Sequence, residues 1–158
     1  MALKPHRQHL ESDISFFMDA VQERGGVVVL KTIGSGNAMD QSVAVVEYVA
    51  NPSGKMPVGV LMCDVVNVDL TRQKLNPYKH EVQVNTKVTI WTKGEVETNS
   101  LVPGITISAG DRAYLGVSGL ITNVDAGAAA TPVVGFFKSK KDEDGYAKVA
   151  FNLPMARS

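Results

Sequence analysis

The feature that most constrains this chain is a series of short runs rich in β-branched and aromatic residues, which begins just after Gly26. Clusters of Gly, Pro, Asn and Asp separate the runs, and these residues form turns because they adopt or impose the required backbone angles. Many short runs at this spacing predict a mainly β protein, built as a small β-barrel or sandwich. The predicted strands are VVVLKT (27–32), SVAVVEYVA (42–50), VGVLMCDVVNVDL (58–70), KVTIWTKGEVET (87–98), RAYLGV (112–117), LITNV (120–124), VVGFFKS (133–139) and YAKVAFNL (146–153).

The first 25 residues differ from this pattern, so we expect an N-terminal arm over residues 1–25 and a β domain over residues 26–158. Within the arm, residues 12–23 fit either one short amphipathic helix or an extended segment, and the helix is the favoured prediction. The helical spacing involves Ile14, Phe17, Met18 and Val21, whereas the strand alternation involves Ile14, Phe16 and Met18.

Composition excludes several classes of function. The chain has 158 residues, with 16 Lys and Arg against 16 Asp and Glu, so its net charge gives no reason to expect direct nucleic-acid binding. Its apolar runs are far shorter than the roughly 20 residues that a membrane helix needs, and no signal-peptide core is present. The single cysteine, Cys63, lies in an apolar run and is expected to be a small buried hydrophobic residue. A soluble protein made in a cytoplasm, with no membrane partner, is predicted.

Motifs for cofactor or metal chemistry fail on their spacing. GSGNAM (34–39) has Met39 where a dinucleotide-binding loop needs its third Gly. KKDEDGYAK (140–148) would place Lys140 and Phe151 at the two ends of a calcium loop, so Asp144-Gly145 is better interpreted as a hairpin turn. No cofactor is predicted.

Metal and nucleophile sites fail for want of partners. His6-x-x-His9 lacks further ligands for zinc, so no metal is predicted. Asp64 and Asp69 fall on opposite faces of a strand and do not form a catalytic pair. Cys63 among apolar neighbours is expected to be unreactive. The sequence therefore predicts that the protein is not an enzyme and has no catalytic residues.

The C-terminal half carries recognisable patterns in TKGEVETN (92–99), SAGDRAYLGVSGLITN (108–123) and TPVVGFFKSKKDEDGYAKVAFNL (131–153). A strand ending in Gly-Asp, a Y-L-x-x-x-G-x-I-T hairpin and a V-G-x-F…D-G-x-x-x-V hairpin resemble the small decoration, or cement, proteins on the capsids of tailed bacteriophages. The N-terminal part also resembles phage virion proteins of this kind, especially a group seen in cyanophages.

The resemblance implies a structural protein on the outer capsid surface of the virion, synthesised in the host cytoplasm. Such a protein is expected to bind an assembled capsid, clamp neighbouring subunits of the phage major capsid protein, and form a homotrimer that stabilises the capsid. Alternatives are another virion component, such as a head-completion, tail or fibre-base subunit, and a free-standing β-barrel binding module.

Contact residues follow from the resemblance together with the sequence pattern. Apolar residues of the arm are expected to anchor it in a capsid groove or in a neighbouring subunit, or else to close the chain's own core. Basic residues of the arm are expected to meet an acidic capsid surface, or else to lie in a solvated terminus. The polar connection 67–83 is expected to be a loop that forms a second contact site. A Trp on an outward strand face would indicate an interface, and the alternative is packing within its own subunit. The predicted contact residues are Lys4, Arg7, Phe16, Phe17, Met18, Arg72, Lys74, Tyr78 and Trp91.

Overall fold

A computed structural model describes residues 3–4, 11–31, 45–65, 68–69, 74–75, 80–127 and 131–153 of the chain. Within these residues it contains fourteen strands and one 3-10 turn, Val117–Gly119. The predicted mainly β class is confirmed. The strands are β1 (Leu3–Lys4), β2 (Glu11–Met18), β3 (Gln22–Glu23), β4 (Val27–Leu30), β5 (Val45–Glu47), β6 (Pro57–Asp64), β7 (Val68–Asp69), β8 (Lys74–Leu75), β9 (Glu81–Val82), β10 (Lys87–Thr98), β11 (Arg112–Leu115), β12 (Ile121–Thr122), β13 (Val133–Phe137) and β14 (Ala147–Asn152).

Five of the strands pair in a closed ring. Strand β10 pairs with β2 and β6, β2 pairs with β5, β5 with β4, and β4 with β6. Only the β2–β5 pair in this ring is parallel. A closed ring leaves its member strands no free edge wherever the pairing is continuous. The sequence prediction of a barrel-like or sandwich architecture fits this arrangement.

A second antiparallel sheet shares β10 with the ring and runs in the order β12, β11, β13, β14, β10. Strand β10 changes partners near Lys93, since β2 and β6 flank its first half while β14 and β1 flank its second half. Two short antiparallel ribbons, β3–β9 and β7–β8, complete the described strands.

Each sheet has its own hydrophobic core. All five ring strands contribute to the ring core, whose buried members are Met18, Val28, Val46, Val58, Leu61, Val82, Val88 and Ile90. The second core lies between the sheet and the outer side of the ring, and it includes Val27, Val29, Val60, Val96, Leu115, Ile121, Val134, Phe137, Val149 and Phe151. Adjacent residues of β4 thus enter different cores, which explains why its sequence is uniformly apolar rather than alternating.

Tyr48 joins the ring to the second sheet. Its hydroxyl donates to the Glu23 carbonyl oxygen at 2.7 Å and accepts from the Gly26 N–H at 3.0 Å. A Cβ at Gly26 or at Gly119 would lie 2.8 or 2.5 Å from Tyr48 side-chain atoms. Both glycines are therefore required for the close approach of the tyrosine ring, which contacts the start of β4 and the turn between β11 and β12.

The N-terminal helix prediction is wrong. Residues 11–18 form strand β2, with Phe17 opposite Lys87 and Met18 opposite Val46. Twelve residues with two adjacent Phe satisfy both periodicities, and pairing with β10 selects the extended one. This strand, which falls in the predicted arm 1–25, shares a core with strands that follow residue 26.

Substitution of Gly135 tests the close packing of β13 on β14. A Cβ at Gly135 would overlap the Ala150 backbone carbonyl. A Cβ at Gly110 would meet nothing within 4 Å, but Gly110 has a φ of +97°. We expect Gly135→Ala to lower the free energy of unfolding by about 3 kcal/mol or more. Gly110→Ala should cost about 1–2 kcal/mol through backbone strain alone. Urea denaturation measures both, and equal losses would contradict the steric explanation.

Candidate contact surface

The apolar residues of the N-terminal strand turn progressively into the ring. Ile14 is 51% exposed, Phe16 is half-buried against the ring core, and Met18 has no exposed surface. Phe17 is also partly buried and lies opposite Lys87. Of the three predicted anchors, Met18 therefore packs within the chain's own core, which is the alternative that the sequence left open. Ile14, which was not among the predicted contacts, is the most exposed apolar residue of the strand.

The outer edge of β2 has little pairing in the described part of the chain. Strand β5 pairs with β2 only at Phe17 and Met18, so the described residues give 11–16 no partner on the side away from β10. The Asp13 carboxylate accepts the N–H of Ser15 at 2.7 Å and so satisfies one amide locally. An edge with unpaired backbone groups can accept a strand from another chain.

Trp91 does not lie on a free outward face. It is partly buried and packs against the second core, and it lies between Ser12 of β2 and Val60 of β6 in the ring. Its indole therefore fills the junction between the ring and the second sheet. This outcome matches the alternative of packing within the subunit.

The predicted basic contacts are only partly described. Lys4 lies in β1 opposite Glu97 of β10, and Lys74 lies in β8 opposite Asp69 of β7. The stretch 67–83, predicted as a polar connection, contains this two-stranded ribbon and β9. Arg7, Arg72 and Tyr78, like the His6-x-x-His9 pair, lie outside the described residues.

Two of the three sequence patterns of the C-terminal half fold into hairpins of one sheet, and the third, TKGEVETN, lies mostly in β10 of the same sheet. In the first, Tyr114 lies opposite Thr122 and Leu115 opposite Ile121. In the second, β13 and β14 pair around a turn in which the Asp142 N–H donates to the Tyr146 carbonyl oxygen at 2.8 Å and the Asp142 carboxylate accepts the Tyr146 N–H at 2.7 Å. The hairpin turn predicted at Asp144-Gly145 is confirmed, with Gly145 at a φ of +85°.

A hydrogen-bond network of polar side chains, centred on Asp111, lies at the base of the first hairpin. The Asp111 carboxylate accepts the Ser108 N–H at 2.9 Å and a hydrogen from Asn123 Nδ2 at 2.9 Å, and the same nitrogen donates to the Thr106 carbonyl at 2.8 Å. The bond from the Ser108 amide, with help from Asn123, lowers the pKa of Asp111. The polar residues at the two ends of SAGDRAYLGVSGLITN therefore shape a loop. Their partnership could not be read from spacing, because it depends on the pairing of β11 with β12.

The outward face of the second sheet carries a row of residues that the sequence interpretation missed. Arg112, Phe136, Ala150 and Glu95 occupy directly opposed positions on β11, β13, β14 and β10. Arg112 is exposed and Phe136 is 48% exposed, although most aromatic residues in the sheet are buried. Alternation within VVGFFKS places Phe136 and Phe137 on opposite faces, and this was the available signal.

Cross-strand ion pairs neutralise the rest of this face. Lys138 pairs with Glu95, Lys148 with Glu97 at 3.5 Å, and Lys93 with Glu11 at 3.6 Å. All three pairs are partly or largely exposed to solvent, so each contributes less than about 1 kcal/mol to stability. Their main consequence is that the face has little net charge around its centre.

Cys63 is half-buried, and burial raises the pKa of its thiol despite a hydrogen bond with Thr89 and the nearby charge of Arg24. A thiol with a raised pKa stays protonated at neutral pH and is a poor nucleophile. Among the residues that the structure describes, no three His, Cys, Asp or Glu side chains are grouped to hold a metal ion. Nor does any helix in the same part of the chain have the length and apolar character to cross a membrane.

Comparison with known proteins gives no family for this chain. No protein-family model matches it, and no curated protein is detectably similar to it.

The position of Met18 predicts a difference between two residues of β2. Met18→Ala should lower the free energy of unfolding by about 2–4 kcal/mol, because it leaves a cavity in the ring core. Ile14→Ala, at an exposed site of the same strand, should change it by less than about 0.5 kcal/mol. Chemical denaturation of the purified chain measures both values. Equal effects would contradict the assignment of Met18 to the core.

The hydrogen-bond network at Asp111 predicts that the stability of the protein depends on pH. Because the pKa of Asp111 is lowered on folding from its ordinary value of 3.8, its contribution is present above that value and is lost as the pH falls through the lowered pKa. Asp111→Asn should therefore be less stable than the parent chain near neutral pH, and the difference should shrink on acidification. Urea denaturation at a series of pH values tests this, with Glu143→Gln at an exposed hairpin tip as the control.

Proposed function

We propose that this chain is a non-enzymatic virion protein that binds the outer surface of an assembled phage capsid and clamps neighbouring major capsid subunits. The observation that carries the proposal is where the sequence patterns typical of cement proteins lie in the fold. The two hairpin patterns, Y-L-x-x-x-G-x-I-T and V-G-x-F…D-G-x-x-x-V, form β11–β12 and β13–β14, which are hairpins of the same sheet. A shared structural context makes a resemblance of turns and strands more informative than the patterns are separately.

The two-core architecture supports a mechanical role. The ring and the second sheet are joined by β10, by Trp91 at their junction and by Tyr48 against Gly26 and Gly119. A body tied at several points transmits load between its surfaces with little internal deformation, because packed interiors have low compressibility. A protein that holds a shell against internal pressure needs this property.

The edge of β2 offers a route to a partner. Its residues 11–16 lack a described strand partner on one side, and the exposed Ile14 gives an incoming strand an apolar contact. Binding to a lattice also repeats each contact many times, so individually modest interfaces give a strong total attachment. Under this proposal the chain has no turnover, and it self-associates as a trimer on the shell.

Binding to stripped capsids tests the proposal. Purified chain mixed with capsids that lack their decoration should add regular density at threefold positions in cryo-electron microscopy, and the decorated shells should survive heating better than bare ones. Ile14→Thr should weaken binding about tenfold, because it removes apolar contact at the strand edge. Val124→Thr, at a residue 57% exposed in a loop, is the matched control.

The location of the density separates the alternatives. Density at the portal or tail would favour a head-completion, tail or fibre-base component. A chain absent from the particle altogether would reject a virion role and favour a free-standing binding module.

A further inference from the structure

We propose that the outward face of the second sheet, centred on Phe136 and Arg112, binds an acidic protein segment that carries a large apolar side chain. Under the proposed function this segment belongs to a capsid subunit, and the inference rests on that function for the identity of the partner alone. We name the surface formed by Arg112, Phe136 and Ala150 the Phe136 face.

The Phe136 face is defined by strand register. Phe136 lies directly opposite Arg112 on one side and directly opposite Ala150 on the other. Opposed residues of antiparallel strands project on the same side of a sheet, with Cβ atoms roughly 5 Å apart. Phe136 thus lies between Arg112 and Ala150 on one side of the sheet, and its side chain remains 48% exposed. An aromatic side chain at the centre of four paired strands, instead of at a loop or a sheet end, is typical of a contact site.

On this face, the glutamates have ion-pair partners and Arg112 has none among the described residues. Glu95, Glu97 and Glu11 each pair with a lysine. Arg112 has no ion pair among the described residues, and the carboxylate of its neighbour Asp111 is turned to Ser108 and Asn123. One exposed cation therefore lies beside one exposed aromatic ring, within a surface that is otherwise internally neutralised.

This combination selects the chemistry of the partner. A carboxylate can accept two hydrogen bonds from the Arg112 guanidinium, while an adjacent apolar side chain covers Phe136 and Ala150. A second copy of the chain is a poorer occupant, because a twofold contact of the face with itself would bring the Arg112 side chains of both copies into one interface. An acidic and apolar segment of a different protein complements both residues at once.

The isolated protein provides a test that is independent of capsids. Backbone amide NMR is recorded while the chain is titrated with capped Glu-Leu-Glu, and then with capped Lys-Leu-Lys at the same ionic strength. The acidic peptide should shift the amides of Arg112, Phe136 and Ala150 in a saturable way, and the basic peptide should not. Arg112→Gln and Phe136→Thr should each abolish the shifts. Equal responses to both peptides, or no response on this face, would overturn the inference.

Stripped capsids test the same face in the setting of the proposed function. Phe136→Thr, which replaces the aromatic ring by a β-branched side chain of high strand propensity, should weaken binding about tenfold. Met56→Thr, at a residue 55% exposed outside the Phe136 face, should bind like the parent. Arg112→Gln should both weaken binding and reduce its dependence on salt, since it removes a charge contact. Circular dichroism and thermal unfolding confirm that each variant is folded.

The outcomes separate the two proposals. If the parent chain does not bind capsids, the proposed function fails, while the peptide titration still decides the inference about the Phe136 face. If the parent and both face variants bind capsids equally, the inference fails and the proposed function stands. If sedimentation shows that the parent self-associates and Phe136→Thr does not, the face is a contact between copies and the inference is overturned.

Discussion

The structure depends on a single strand that belongs to two sheets. The first half of β10 (Lys87–Thr98) closes the five-strand ring between β2 and β6, and its second half pairs with β14 in the second sheet. Val88 and Ile90 enter the ring core, while Trp91 and Val96 enter the second core. A strand that supplies residues to two cores and is paired along both edges of its first half cannot shift register without exposing both cores at once. The two cores are therefore coupled, and we expect the described β regions to unfold together.

This coupling leaves the surface to provide the specificity. The ring and sheet bury most of the large apolar side chains, and the turns are stabilised by local bonds such as those of Asp111 and Asp142. Within the part of the chain that the structure describes, the edge of β2 at residues 11–16 and the Phe136 face are two surface features that a partner could contact. The first offers backbone groups and the second offers an aromatic ring with a cation, so they would make contacts of different chemistry. Two such surfaces are what the proposed role of bridging neighbours in a lattice requires.

Sequence reasoning succeeded where a pattern has one structural interpretation. The run at 87–98 was predicted as a strand with the bounds of β10, and Asp144-Gly145 was predicted as a hairpin turn. It failed at residues 12–23, where the spacing of apolar residues satisfied the helical and extended periods equally well and pairing with β10 selected the strand. The Phe136 face was missed for a related reason. Adjacent Phe136 and Phe137 are alike in sequence, and only the register with Arg112 and Ala150 shows which one faces outward.

The sequence by itself determined the mainly β class, most of the strands and the turns between them, because these follow from local propensities of β-branched, aromatic and turn residues. Only the tertiary structure decided the closure of the ring, the division of adjacent β4 valines between two cores and the burial of Met18. The reason is that each of these depends on which strands meet. Partners far apart in the chain, such as β2 and β10, are joined by non-local pairing, and a local pattern carries no information about that choice.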